Sequence, residues 1–342
     1  MSLPSFDVIR PRTEHAAIDA LARYGAEAQM VAGGTDLIPS MKQGLFAPRV
    51  LLDLKPIREL DFIRFDPEQG LSIGALTRIS TIVASRLIAE QFPVLHQAAR
   101  TIASPLLRNM GTLGGNLCLD TRCLYYNQSH FWRDALGYCI KKDGAICHVA
   151  PGGHFCWAVF SGDTAPALLA LGATVQLASP RGPRQVPLAE FYANDGVVHI
   201  AKAHDEIVTE VRVPASSSGW SGVYKKLRIR QSIDYPLAGV AAVMQKDEAG
   251  VCHEVRVALT AVNPAPKLVD AAILKGRTYD AGLVEQVAHE AIRTGKPLRT
   301  SASTPEYRRR MIRVFVRRAL RELWLNGQAE ELTIAIDDWK GR

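Results

Sequence analysis

Asn109-Met110-Gly111-Thr112-Leu113-Gly114-Gly115-Asn116-Leu117 places three glycines in nine residues, at the border between two kinds of sequence. Upstream, residues 92–103 carry apolar side chains at helical spacing and are stopped by Ser104-Pro105. Downstream, from about 120 to 157, periodicity is lost and four cysteines collect. A residue without Cβ lets main-chain N–H groups approach a phosphate oxygen, and a helix start behind it adds unsatisfied donors and a positive dipole end. A second segment of this form is Gly33-Gly34-Thr35-Asp36-Leu37. Two such loops suit a diphosphate better than a single phosphate. Neither fits G-x-x-x-x-G-K-[ST], nor G-x-G-x-x-G after a strand, which disfavours a P-loop and a Rossmann crossover. Taken alone, a tight structural turn also explains either pair.

Further out, regular elements alternate. Residues 13–24 read as a helix, 28–32 as a strand stopped by Gly33-Gly34, and 50–54 and 71–75 as strands. Thr77 is placed to cap a helix from about 79. Residues 164–171 read as a helix and 173–177 as a strand. Small and turn residues at 214–219 mark a boundary. Beyond it, strands are expected at 223–228, 239–245 and 255–260, and helices at 280–294 and 306–325.

The four cysteines, Cys123, Cys139, Cys147 and Cys156, are spaced by sixteen, eight and nine residues. The paired C-x-x-C units usual in zinc knuckles are absent. No basic region leads into an apolar run at the N-terminus, so a secretory signal is not expected; the reducing cytoplasm this implies disfavours disulfides. A [4Fe–4S] cluster on four convergent thiolates, a zinc ion, and unligated core cysteines all stay open. Cys118 is a rival ligand, and Cys252 sits in an apolar strand context.

The chain has 342 residues, 47% of them hydrophobic and 22% charged, enough for two domains with their own cores. No stretch approaches the roughly 18 apolar residues of a membrane span. Much of the net charge of +7 sits between 307 and 324, where seven arginines share a helix with an apolar stripe. That is a core helix with a solvated basic face, or a docking face for a partner subunit; without interleaved aromatics it is no nucleic-acid module.

Taken together, Val31-Ala32-Gly33-Gly34-Thr35-Asp36-Leu37, Ile102-Ala103-Ser104, the 108–117 stretch, Ser161-Gly162-Asp163-Thr164-Ala165-Pro166-Ala167, Tyr224-Lys225-Lys226 and Glu306-Tyr307-Arg308-Arg309 resemble the FAD-binding subunits of the molybdenum hydroxylase (xanthine dehydrogenase) family. The likeness spans nearly the whole chain. The cysteine-rich insertion is similar to that of flavoprotein subunits of the 4-hydroxybenzoyl-CoA reductase type (β subunit), and most of the family lacks it. The resemblance implies an α+β protein. It would have a vanillyl-alcohol-oxidase (PCMH) type FAD-binding domain at 1–218, made of two subdomains split near 55–60 and carrying the insertion at about 120–157. A C-terminal domain of the CO dehydrogenase flavoprotein type would follow at 219–330, then a tail at 331–342.

It further implies FAD held by Val31, Ala32, Gly33, Gly34, Thr35, Asp36, Leu37, Ile102, Thr112, Leu113, Gly114, Gly115 and Asn116, with Asp163 toward the ribose and Lys226 near the flavin. Cys123, Cys139, Cys147 and Cys156 would bind a [4Fe–4S] cluster, leaving Cys118 free. Flavin exchanges electrons singly or in pairs and such a cluster one at a time, so the implied role is a relay. The implied partners are a large molybdenum-cofactor subunit, a small subunit with two [2Fe–2S] clusters, and an external carrier such as ferredoxin. In the reductase, electrons would leave ferredoxin, enter at the cluster and pass through FAD to remove a phenolic hydroxyl from an aromatic thioester; in oxidising relatives the flow reverses. A self-contained flavin oxidoreductase of the same fold is the alternative.

Overall fold

The computed structural model describes residues 3–325, so the tail at 331–342 lies outside the described residues. Three sheets organise the chain. The first is parallel and three-stranded, with Val50–Asp53 between Asp7–Ile9 and Ala28–Val31. All four residues of Val50–Asp53 are buried, as expected of a central parallel strand covered on its faces. Helix Glu14–Tyr24 covers this sheet with Ala17, Ile18 and Leu21, and the Thr13 side chain caps it by accepting from the Ala16 N–H.

The second sheet is antiparallel, in the order Ile63–Asp66, Gly70–Gly74, Ile207–Val213, Thr174–Ala178, Arg184–Pro187. Its central strand, Ile207–Val213, was not read from the sequence, where Glu210 and Arg212 interrupt the apolar run. These two side chains pair with each other on the outer side while Val211 and Val213 are fully buried.

The third sheet is antiparallel, in the order Lys267–Val269, Cys252–Thr260, Ala238–Lys246, Ser221–Leu227. Strand alternation divides it between two cores. Val240, Ala242 and Met244 face helices Ala281–Thr294 and Pro305–Trp324, whereas Ala241 and Val243 join the core built around helices Pro93–Arg100 and Thr164–Ala170. The C-terminal part is thus packed against the N-terminal part through a continuous apolar layer. Gly222 allows a close approach, since a Cβ there would lie 2.8 Å from that of Val94.

Three local expectations need correction. Ser104-Pro105 does end one helix at Arg100, but Ser104 caps a further short helix, Pro105–Arg108, with proline at its first position. Thr77 caps nothing; its hydroxyl donates to the Phe62 carbonyl and accepts the Phe62 N–H. The second glycine pair is not a loop but lies in the helix Leu113–Leu117, capped by Thr112. The 120–157 segment is irregular apart from the short helix His130–Ala135. Among the described residues no helix is long and apolar enough to cross a membrane.

Candidate functional site

A cavity of about 770 Å³ opens between the parallel sheet, the five-stranded sheet and the insertion. Val31, Ala32, Gly33, Gly34, Thr35, Asp36 and Leu37 form one wall, and Ile102, Thr112, Gly114, Gly115 and Asn116 form another. Gly33 is where the walls touch: a Cβ there would lie 2.1 Å from the Met110 carbonyl oxygen and 2.9 Å from Gly111 Cα. Gly34 has φ of 69°, the left-handed region that glycine adopts without strain.

The two glycine segments differ in what they offer. None of the main-chain N–H groups of Gly33, Gly34, Thr35 and Asp36 donates to another described residue. A strand end that leaves four donors at a cavity wall is a site for an anion. In the other segment the donors are already used. Leu113 N–H donates to Thr77 O at 2.9 Å, Gly114 N–H to Ala75 O at 2.8 Å, and Gly115 N–H to the Thr112 hydroxyl at 3.1 Å. The second set of free amides expected there is therefore absent, and this wall contributes shape. Gly115 lines the cavity, and a Cβ built there would lie 3.0 Å from the Thr112 hydroxyl that caps the helix.

Two expected cofactor residues lie outside the cavity wall. Leu113 is fully buried in the core. Lys226 does not face the cavity; its ammonium donates to Asp163 Oδ2 at 2.9 Å and to the Thr101 carbonyl at 3.0 Å. Asp163 borders the cavity, but its other oxygen accepts from the Tyr224 hydroxyl at 2.7 Å. Burial pushes the Asp163 carboxyl above its ordinary range, with Lys226 and Tyr224 opposing the rise. The pair therefore fastens the C-terminal sheet to the first part of the chain. With side chains 2% and 6% exposed, loss of one partner leaves a buried charge uncompensated. Lys226→Met is expected to cost about 3–5 kcal/mol of stability, measured by denaturant unfolding; a wild-type midpoint would contradict this assignment.

The insertion begins at the cavity. Leu119, Asp120 and Arg122 line it, and Arg122 reaches across to Asp36 behind the first glycine pair. The Tyr235 hydroxyl, from the C-terminal part, donates to the same Asp36 oxygen at 2.9 Å, and the Arg122 guanidinium stacks 3.8 Å from the Tyr235 ring centroid. Burial works to lower the Arg122 pKa, but Tyr235 and Asp36 outweigh it. This latch could not be read from sequence spacing, because its members are 86 and 113 residues from Arg122.

Cys123, next to Arg122 in sequence, belongs to a group of four cysteines, each within electrostatic range of at least one other. Cys139, Cys147 and Cys156 are buried and Cys123 nearly so, and none is in a disulfide. Cys123 lies within electrostatic range of Cys139 and Cys147, and Cys156 within range of Cys123 and Cys147. Burial raises the Cys123 thiol; the nearby backbone amides of Tyr125 and Tyr126 oppose the rise, and the two neighbouring cysteines add to it. Burial likewise pushes the Cys156 thiol up to about 11, opposed by the Ala158 N–H, 3.3 Å from Sγ, and by Lys141. Among the described residues, no group of three or more His, Cys, Asp or Glu side chains is arranged to hold a metal ion. Cys118 lies apart, in the cavity wall, and Cys252 is in the C-terminal core.

Residues 4–216 match the family model of the FAD binding domain in molybdopterin dehydrogenase, and residues 222–323 that of the CO dehydrogenase flavoprotein C-terminal domain. The carbon monoxide dehydrogenase medium chain of Hydrogenophaga pseudoflava is 30% identical over 326 residues, which cover 94% of this chain and 98% of the relative. The 6-hydroxypseudooxynicotine dehydrogenase complex subunit alpha of Paenarthrobacter nicotinovorans is also 30% identical, over 94% of this chain and 95% of its own length. A solved structure of the H. pseudoflava carbon monoxide dehydrogenase superposes with a TM-score of 0.78 at 28% identity, covering 95% of this chain and 99% of the other.

Proposed function

The chain belongs to the family of FAD-binding subunits of molybdopterin dehydrogenases, an oxidoreductase family, and we propose that within it the protein is an electron-transfer subunit carrying a second redox centre, a [4Fe–4S] cluster on Cys123, Cys139, Cys147 and Cys156. The carrying observation is a group of four cysteines, three of them buried and Cys123 half-buried, with thiols in electrostatic range of one another, in an insertion whose first residues line the cavity. FAD supplies one- or two-electron exchange when bound, and the cluster one-electron exchange.

The chain's own residues define both sites. The free amides of Gly33, Gly34, Thr35 and Asp36 would hold the diphosphate, with Gly115 in the opposite wall. Asp163 borders the cavity and orders its wall through one hydrogen bond to each oxygen, which leaves each a lone pair for a ribose hydroxyl. At the cysteine site, thiolates around one tetrahedral zinc would stand about 3.8 Å apart, given Zn–S bonds of about 2.3 Å. Four cysteines without a C-x-x-C pair suit a cluster, in which each thiolate would bind its own iron. The Arg133 side chain supports an anionic occupant nearby. It is 2% exposed, yet its Nε and Nη1 have no hydrogen-bond acceptor among the described residues.

The relatives are named as a medium chain and as a complex subunit, which supports assembly with a large molybdenum-cofactor subunit and a small [2Fe–2S] subunit. The four-cysteine insertion favours the 4-hydroxybenzoyl-CoA reductase type, with ferredoxin as the donor at the cluster. A second reading, favoured by the dehydrogenase names of the relatives, keeps the same centres with electrons flowing outward. Anaerobic purification tests the proposal: about one FAD and about four iron per chain are expected. Stoichiometric zinc without iron would overturn the cluster, and reduction of the assembled complex by an organic substrate rather than by ferredoxin would favour the second reading.

A further inference from the structure

Two buried cations belong to the cysteine-rich insertion, and neither lines the cavity. The Lys141 ammonium is 5% exposed; it donates to Asp120 Oδ1 at 2.6 Å, to the Gly196 carbonyl at 2.7 Å and to the Thr121 hydroxyl, and lies 4.6 Å from the Tyr126 ring centroid. Gly196 is pressed against the cysteine site, since a Cβ there would lie 2.8 Å from Cys156 Sγ. The carbonyl that holds Lys141 is therefore next to that thiol, and Asp120 on its other side borders the cavity. Arg133, on helix His130–Ala135, donates to Gly44 O at 3.1 Å, pairs with Asp143 at 3.6 Å and lies within electrostatic range of Tyr126, which packs with Cys139.

From this placement we infer that Lys141 and Arg133 set the reduction potential of the centre held by the four cysteines, and so set how readily it exchanges electrons with the cofactor in the adjacent cavity. The inference rests on the cysteine site being a redox centre, as proposed above. Four thiolates give such a centre a negative charge, and its reduction adds one electron while no bond breaks and no proton need move. A fixed cation close to a site of low dielectric stabilises the reduced form more than the oxidised form. Lys141 has a compensating carboxylate on the cavity side only. Arg133 Nε and Nη1 have no hydrogen-bond acceptor among the described residues, and its ion-pair partner Asp143 is half exposed.

The test is an anaerobic titration of the intact protein with dithionite as electron donor, followed by the EPR signal of the reduced cluster, with FAD absorbance recorded in the same samples. Lys141→Met is expected to shift the oxidised-to-reduced ratio about tenfold toward the oxidised form, a midpoint about 59 mV lower, with Lys141→Arg restoring the wild-type midpoint. Arg133→Met is expected to shift it in the same direction. An unchanged cluster midpoint in an iron-replete Lys141→Met protein would overturn the inference, as would a fall matched by Lys141→Arg. If Lys141→Met does not retain iron, Arg133→Met and Lys141→Arg decide. The inference stands if only Arg133→Met lowers the midpoint, and falls if it does not. Iron content of the wild-type protein separately tests the reading beneath it, so the two failures are distinguishable.

Discussion

Replacing Gly33 by alanine is expected to weaken FAD binding by tenfold to a hundredfold. The position has no room for a methyl group, because the ideal Cβ would sit 2.1 Å from the Met110 carbonyl oxygen, 2.6 Å from its carbon and 2.9 Å from Gly111 Cα. All three are backbone atoms, so no rotamer change relieves the clash. The two walls of the cavity must move apart, and overpacking of this kind costs about 1–3 kcal/mol, which is roughly one to two decades in affinity. The displaced residues carry the free amides of Gly33 to Asp36, so the cost falls on the diphosphate. Titration of the flavin-stripped protein with FAD measures it. Gly152→Ala is the control, since a Cβ there meets nothing within 4 Å. Wild-type affinity in Gly33→Ala would show that the contact between the walls does not shape the site.

Cys139→Ser is expected to remove the cluster and leave the flavin. The side chain is 7% exposed, packed with Leu45, Tyr126, Phe46 and Cys123, and does not line the cavity. A hydroxyl at this position is a harder, less acidic ligand than thiolate, so iron should fall from about four per chain to background. The insertion is nevertheless not independent of the cavity, because Arg122, next to Cys123, bonds Asp36 behind the first glycine pair. Substitution at Arg122 should therefore lower both iron and FAD, whereas Cys139→Ser lowers iron alone. Cys118→Ser keeps iron if the four assigned cysteines are the ligands. Retention of full iron by Cys139→Ser would remove Cys139 from the set.

Much of the site was legible because it is local in sequence. The run from Val31 to Leu37 lines the cavity as one wall, and the glycine-rich stretch supplies Thr112, Gly114, Gly115 and Asn116 to another. The capped helix Glu14–Tyr24, the buried strand Val50–Asp53 and the C-terminal helices were likewise expected from periodicity and capping residues. The errors have a common cause, which is that long-range partners decide the roles. Leu113 and Gly114 look like free donors until Thr77 and Ala75 are brought beside them. Lys226 looks available for a cofactor until the third sheet packs its ammonium onto Asp163. Strand Ile207–Val213 is hidden by an Arg–Glu pair on its outer face, and the Asp36–Arg122–Tyr235 latch joins three parts of the chain that share no motif.

Counting electrons tests the central claim most directly. Under anaerobic titration with dithionite, the intact protein should take up about three electrons per chain, two at FAD and one at the cluster. Flavin bleaching and an EPR signal from reduced iron–sulfur should arise in the same molecules. Uptake of two electrons per flavin, with no such signal and no iron in the anaerobically purified protein, would contradict the account.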